Sequence, residues 1–256
     1  MSQLRWRLIF GEKDVHLQDF GGREIRTFQK SDFLTSGGRY KVTESLLGDF
    51  SERLLIEIYV PIEVEVTFEA QINASESGAI AYANAPGARA YATVLGAIAY
   101  ATADGAEAYA VADGAKAHAN APGAEAYANA DGASAYANVK GARAYVNAKI
   151  AIAYATAPGA KAYSNADGAF AHATAPGAIA YANKPEAEAY ANVKGARAYA
   201  NARGATASAK VRGAEAHATA PGAEAYANKP GAIAYATVPG AKAYANKPGA
   251  LAIPLP

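Results

Sequence analysis

The sequence predicts an all-β fold: a parallel β-solenoid preceded by a small β-rich N-terminal cap. Three observations carry the prediction. From Gly78 onward the chain repeats every nine residues, alanine fills alternate positions of each repeat, and each repeat closes on a turn pair such as Pro-Gly. A fixed period of this kind is the signature of a stacked-repeat architecture. Composition agrees. The chain has 256 residues, and 68 of its 70 alanines lie beyond residue 77. Alanine carries little apolar area, so a thick ordinary core cannot be built from it.

The elements before the repeat read as strands. Leu4, Trp6, Leu8 and Phe10 alternate with polar residues, and Gly11-Glu12-Lys13-Asp14 offers a turn into a second strand, Val15–Phe20. Thr43–Asp49 reads as a helical turn. Residues 54–70 read as one long strand, with Ile56, Ile58, Val60, Ile62, Val64, Val66 and Phe68 on one face and Glu57, Tyr59, Pro61, Glu63, Glu65 and Glu69 on the other. Pro61 suits an edge strand. Asn73-Ala74-Ser75-Glu76-Ser77 forms a short polar joint. The chain thus divides into an N-terminal unit, 1–77, and a repeat unit, 78–256.

The first repeat is Gly78-Ala79-Ile80-Ala81-Tyr82-Ala83-Asn84-Ala85-Pro86, and the frame runs without insertion to the chain end, giving 19 full repeats and one of eight residues. Position 1 is Gly in 18 of 20, the exceptions being Ile150 and Glu186. Position 5 is Tyr in 15 of 20, with His118, His172, Ser208, His217 and Ile253 as substitutes. In a strand, positions 2, 4, 6 and 8 share one face and 3, 5 and 7 the other. Position 3 carries charges such as Arg89, Glu107 and Arg143, which must be wet. Tyr shares their parity, so the alanines form the buried face. Gly every nine residues and Pro in nine repeats break any alanine helix.

Nine is odd and a strand has period two, so the turn at positions 8-9-1-2 must restore the face. Pro-Gly supplies a type II turn. A hairpin would need positive φ at its first central residue, which Pro cannot adopt. Corners of a parallel solenoid follow, with two repeats, or 18 residues, per coil. About ten coils at ~4.8 Å make a rod of roughly 45–50 Å. In period alone this is similar to the calcium-binding RTX nonapeptide rolls. Their Gly-Gly-x-Gly-x-Asp motif is absent, so calcium is not implied. Ile253-Pro254-Leu255-Pro256 ends the ladder with residues that cannot extend it.

With 18 residues per coil, alternate repeats share a face. Tyr91, Tyr109, Tyr127, Tyr145, Tyr163, Tyr181 and Tyr199 form an uninterrupted aromatic column. The other column is interrupted at His118, His172 and Ser208. The columns read either as stiffeners of the sheets or as a binding face, since rigid aromatic surfaces suit interfaces. A homodimer through the uninterrupted column, centred on Tyr127, Tyr145 and Tyr163, is the expected partnership. A protein partner at the N-terminal unit is a second. Lys194, Arg197, Arg203, Lys210 and Arg212 fall close together without an acid, and Ser208 removes a ring beside them. They read either as an anion patch or as a solvated basic stretch.

Other functions find little support. The 24 Lys and Arg balance 23 Asp and Glu, which argues against general nucleic-acid binding. The N-terminal unit carries −4 (9 basic, 13 acidic) and the repeats +5 (15 basic, 10 acidic). Cysteine is absent, and the four His lie at no ligand spacing, so no metal or cofactor is expected. No nucleophile elbow, Walker loop, HExxH or dinucleotide fingerprint occurs. No export signal or membrane span is legible, so a cytoplasmic or phage-associated setting is expected. The reading is a non-enzymatic structural or interaction rod. An ice- or surface-binding solenoid is the alternative, and an enzymatic or ligand-binding activity in the N-terminal unit a distant third.

Overall fold

The computed structural model describes residues 6–19, 21–35, 40–47, 56–60, 63–66 and 71–254. Each full repeat contributes one four-residue strand at positions 3–6, such as Arg89–Ala92 and Ile98–Ala101. Successive repeats go to opposite sheets, and every strand pairs in parallel with the strand 18 residues away. Ala99 stands beside Ala117 and Ala108 beside Ala126. Among the described residues the result is a two-sheet parallel solenoid with one fifteen-stranded and one twelve-stranded sheet. Alternation fixes this register: a slip of one residue would turn every alanine to water and every position 3 charge inward.

The interior is alanine. Ala90, Ala108, Ala126 and Ala144 have no exposure, nor do their counterparts on the other sheet, Ala99, Ala117 and Ala135. Within the full repeats, position 6 departs from alanine only in two adjacent coils, where Val146 lies beside Ser164. Both are fully buried, and the Ser164 hydroxyl donates to the Ala169 carbonyl at 2.7 Å. A buried hydroxyl is tolerated because that bond is made.

The corners are the expected turns. The N–H at position 2 donates to the carbonyl at position 8, as from Ala88 to Ala85 at 3.1 Å and from Ala124 to Ala121 at 3.1 Å. Position 1 glycine carries positive φ throughout, from 67° at Gly114 to 85° at Gly141. With Pro preceding it, that is a type II turn. Ile150 and Glu186 hold the same position with φ of 59° and 60°. From Gly177 onward the corners also form a ladder, for example Gly195 N–H to the Gly213 carbonyl at 2.8 Å.

The N-terminal unit closes the first coil. Trp6–Phe10 and Asp14–Asp19 pair antiparallel, and Glu24–Gln29 adds a third strand. The Gly11 N–H donates to the Asp14 carbonyl at 2.8 Å across the expected turn. Trp6–Phe10 also pairs in parallel with Ile56–Val60, which joins this small sheet to the fifteen-stranded one. Leu8, Val15 and Leu17 are fully buried, and Phe33 meets Phe10 and Phe28 edge-on at 5.3 and 5.6 Å. These larger side chains supply the apolar area that the alanine coils lack. Glu44–Leu47 is the expected helical turn.

The single long strand expected over 54–70 is corrected. Ile56–Val60 lies in the fifteen-stranded sheet and Glu63–Val66 in the twelve-stranded sheet. They pair with Gln71–Ala74 and Ile80–Ala83 respectively, so the sheets run continuously through residue 77. Residues 54, 55, 61, 62 and 67–70, together with Leu4 and Phe20, lie outside the described residues. No helix among the described residues is long and apolar enough to cross a membrane.

Candidate binding faces

The outward residues at positions 3, 5 and 7 make both broad faces. On the fifteen-stranded sheet the expected column is continuous. Tyr91 stacks on Tyr109 at 4.7 Å, Tyr127 on Tyr145 at 5.0 Å and Tyr181 on Tyr199 at 5.3 Å, all within 20° of parallel. His217 and Tyr235 extend it at the same spacing. In-register pairing sets this distance, because position 5 recurs at each strand spacing. Stacking also has a consequence for binding. Each ring face is covered by its neighbours, so solvent meets edges and hydroxyls, and the side chains are half-buried rather than exposed. Tyr91, Tyr109, Tyr127, Tyr145, Tyr163, Tyr181 and Tyr199 thus present a ribbed surface, not a flat aromatic platform.

Charges border that column. Arg89 reaches Glu107 at 2.8 Å and Arg143 reaches Glu125 at 2.9 Å between adjacent coils, with Arg197 to Glu215 at 3.3 Å further on. The Tyr109 hydroxyl donates to Glu107 at 2.5 Å, and Tyr127 donates to Glu125. Burial, followed by these carboxylates, pushes both phenols well above the usual tyrosine range.

The twelve-stranded face differs. From Ile80 to Thr174 its position 3 residues are Ile80, Ile98, Lys116, Ser134, Ile152 and Phe170, so Lys116 is the single charge on that stretch. Position 5 stacks as Tyr82, Tyr100, His118, Tyr136, Tyr154 and His172, with centroids 4.6–5.2 Å apart. Position 7 is a row of amides and hydroxyls. Asn138 donates to Asn120 at 2.7 Å, and Thr156 donates to Asn138 at 2.8 Å. Asn138 and Asn192 place their side-chain amides 3.2 and 3.1 Å from Nδ1 of His118 and His172, which a neutral ring accepts. Burial lowers both imidazoles to about 4. The histidines are ladder rungs. Pooled over all repeats, position 3 looks uniformly mixed; the segregation of charge is visible in the sequence only when alternate repeats are taken separately.

The candidate anion patch is divided by the fold. Arg197 lies on the fifteen-stranded sheet, paired with Glu215. Lys194 and Arg212 lie at one row of corners and Arg203 at the opposite row, between the strands that flank each turn. Lys210 alone adjoins the missing ring. Its Nζ sits 3.6 Å over the centre of the Tyr190 ring, beside Ser208, which is only 6% exposed. Among the described residues no three acids or histidines gather as a metal site.

Fold and faces together define a two-sheet, alanine-cored parallel solenoid with aromatic ladders. No family model matches the chain, and no curated protein does. A solved structure, an alginate lyase from Paenibacillus sp. str. FPU-7, is similar at a TM-score of 0.22 and 13% identity, covering 84% of this chain and 98% of that one. A likeness so slight carries no argument about activity. The expectation of a non-enzymatic structural or interaction rod is nonetheless withdrawn. No comparison supports a non-enzymatic role.

Proposed function

We propose that the twelve-stranded face, from Ile80 to Thr174, binds an extended, uncharged polysaccharide lying along the solenoid axis. The observation behind this reading is the segregation of charge: ion pairs line the opposite face, while this one offers apolar side chains, tyrosine edges and a row of Asn and Thr. Those groups recur at one strand spacing, about 4.8 Å, close to the advance per sugar of an extended glycan. A repeating ligand can therefore meet the same contacts coil after coil. Many weak, aligned contacts on a rigid surface add without a large ordering penalty. A particle-borne setting would bring such a face to cell-surface glycan.

The test is sedimentation with insoluble neutral glucan against soluble polyuronate. Neutral glucan should retain the protein, and Ile98→Asp with Phe170→Asp should release it, whereas Ile179→Asp on the opposite face should not. Retention by polyuronate alone, or equal loss in all variants, would overturn the reading. A homodimer through the fifteen-stranded face is the separate proposal for the other surface. It would bury Arg89, Glu107, Glu125 and Arg143, whose desolvation opposes it. Light scattering of Tyr145→Asp against Tyr154→Asp tests it, with a loss of dimer only in the former expected.

A further inference from the structure

One rung of the twelve-stranded ladder is missing. Ser208 pairs in register with Tyr190 on one side and Tyr226 on the other. These rings therefore stand two strand spacings apart, about 9.6 Å, where neighbouring rungs elsewhere stack at 4.6–5.3 Å. A ring placed between them would lie near 4.8 Å from each, the spacing the rest of the ladder already uses. Ser208 forms the floor of this gap. Lys210 takes the place of the Asn or Thr usual at position 7, and its ammonium now covers part of the gap over Tyr190. Thr206 takes the position 3 place.

The gap is also electrically polar. At its Thr206 end, the Tyr190 and Tyr226 hydroxyls donate to Glu188 and Glu224. At the other end stands Lys210, an exposed residue. An inserted ring would follow the course of the absent tyrosine. A hydroxyl at its far end would meet the two carboxylates, and an acid group at its near end would meet the ammonium.

We propose that the gap between Tyr190 and Tyr226, floored by Ser208 and gated by Lys210, binds a small para-hydroxylated aromatic acid as a substitute rung. The ligand gains two aromatic stacking contacts in place of one cation–π contact, and its charge keeps the displaced ammonium paired. This site adjoins the end of the glycan face, where Tyr190 stacks on His172 at 4.9 Å, but neither reading depends on the other.

The experiment is calorimetric titration of the full chain with 4-hydroxycinnamate. Saturable one-to-one binding is expected. Ser208→Tyr restores the residue that most repeats carry and should weaken binding at least tenfold with the circular dichroism unchanged. Lys210→Asn should weaken the acid three- to tenfold while leaving the neutral 4-hydroxycinnamyl alcohol bound as before. Cyclohexanepropionate, which has the charge without the ring, should not bind. Should Ser208→Tyr fail to fold, ligand-induced NMR shifts on the wild type decide. They should appear at Tyr190, Tyr226 and the Ser208 amide and not at Tyr127. No saturable binding at millimolar ligand, wild-type affinity in a folded Ser208→Tyr, binding of cyclohexanepropionate equal to that of 4-hydroxycinnamate, or shifts elsewhere would overturn the proposal.

Discussion

Replacing Ile150 by glycine should stabilise the protein, although it removes a large apolar side chain. Ile150 holds position 1 of its repeat at φ 59°. A left-handed backbone costs a non-glycine residue about 1–2 kcal/mol, and a β-branched side chain lies at the upper end of that range. The side chain is 66% exposed, so little buried area is lost. Against the gain stands the greater freedom of glycine in the unfolded chain, about 0.5–1 kcal/mol. The net expectation is a stabilisation of about 0.5–1.5 kcal/mol. The reciprocal change is Gly105→Ala. Gly105 has φ 69°, and an added Cβ would meet nothing within 4 Å. It isolates the backbone term and should destabilise by roughly 0.5–1 kcal/mol. Urea unfolding followed by circular dichroism reads both, and the distant sites should add in the double variant. A destabilised Ile150→Gly, or a neutral Gly105→Ala, would refute the assignment of these corners as turns that require positive φ.

Three further outcomes are expected. Ala126→Leu or Ala144→Leu should overpack the fully buried interior and cost about 1–3 kcal/mol. Lys116→Leu on the surface should stay within about 0.5 kcal/mol in the same urea assay; equal effects would reverse the inside–outside assignment. Glu125 is a poor surface control, because it holds Arg143 and Tyr127. His118 and His172 titrate at about 4 in the fold and near 6.5 in an unfolded chain. The unfolded chain takes up protons first, so stability should fall as pH drops from about 6.5 to about 4, with no further loss from these groups below. His118→Tyr with His172→Tyr should flatten a urea-midpoint profile over that window, and an unchanged profile would contradict the burial argument. Strand signal in excess chelator should equal that in calcium, and calcium-dependent folding would remove the distinction from the RTX rolls.

The repeat itself was legible because its physics is local. Gly at positive φ, Pro before it and alanine on one parity fix turn, face and coil together, and the tyrosine and asparagine columns follow from the 18-residue coil. The N-terminal unit was less legible. Ile56 to Phe68 alternates as one strand would, and no glycine marks the corner that sends Ile56–Val60 and Glu63–Val66 to different sheets. Phe33 was also missed as a core residue, since it sits in the short helical turn Lys30–Phe33 without a repeating pattern. At the binding faces, periodicity placed every ring but not its contacts. The seat of Lys210 over Tyr190 depends on a long side chain's rotamer and on the absence of a ring at Ser208, and sequence spacing shows only the second.

The central claim is that two nine-residue repeats make one coil and that coils stack in register. The chain has no cysteine, so spin labels can be placed uniquely by Lys116→Cys with Lys242→Cys, both exposed on one column of the twelve-stranded face. These residues are 126 apart in sequence, which is seven coils of 18 residues. Double electron–electron resonance should give a backbone separation of about 34 Å, seven strand spacings. A meander that pairs successive repeats would put fourteen spacings between them, about 67 Å, and that distance would contradict the account.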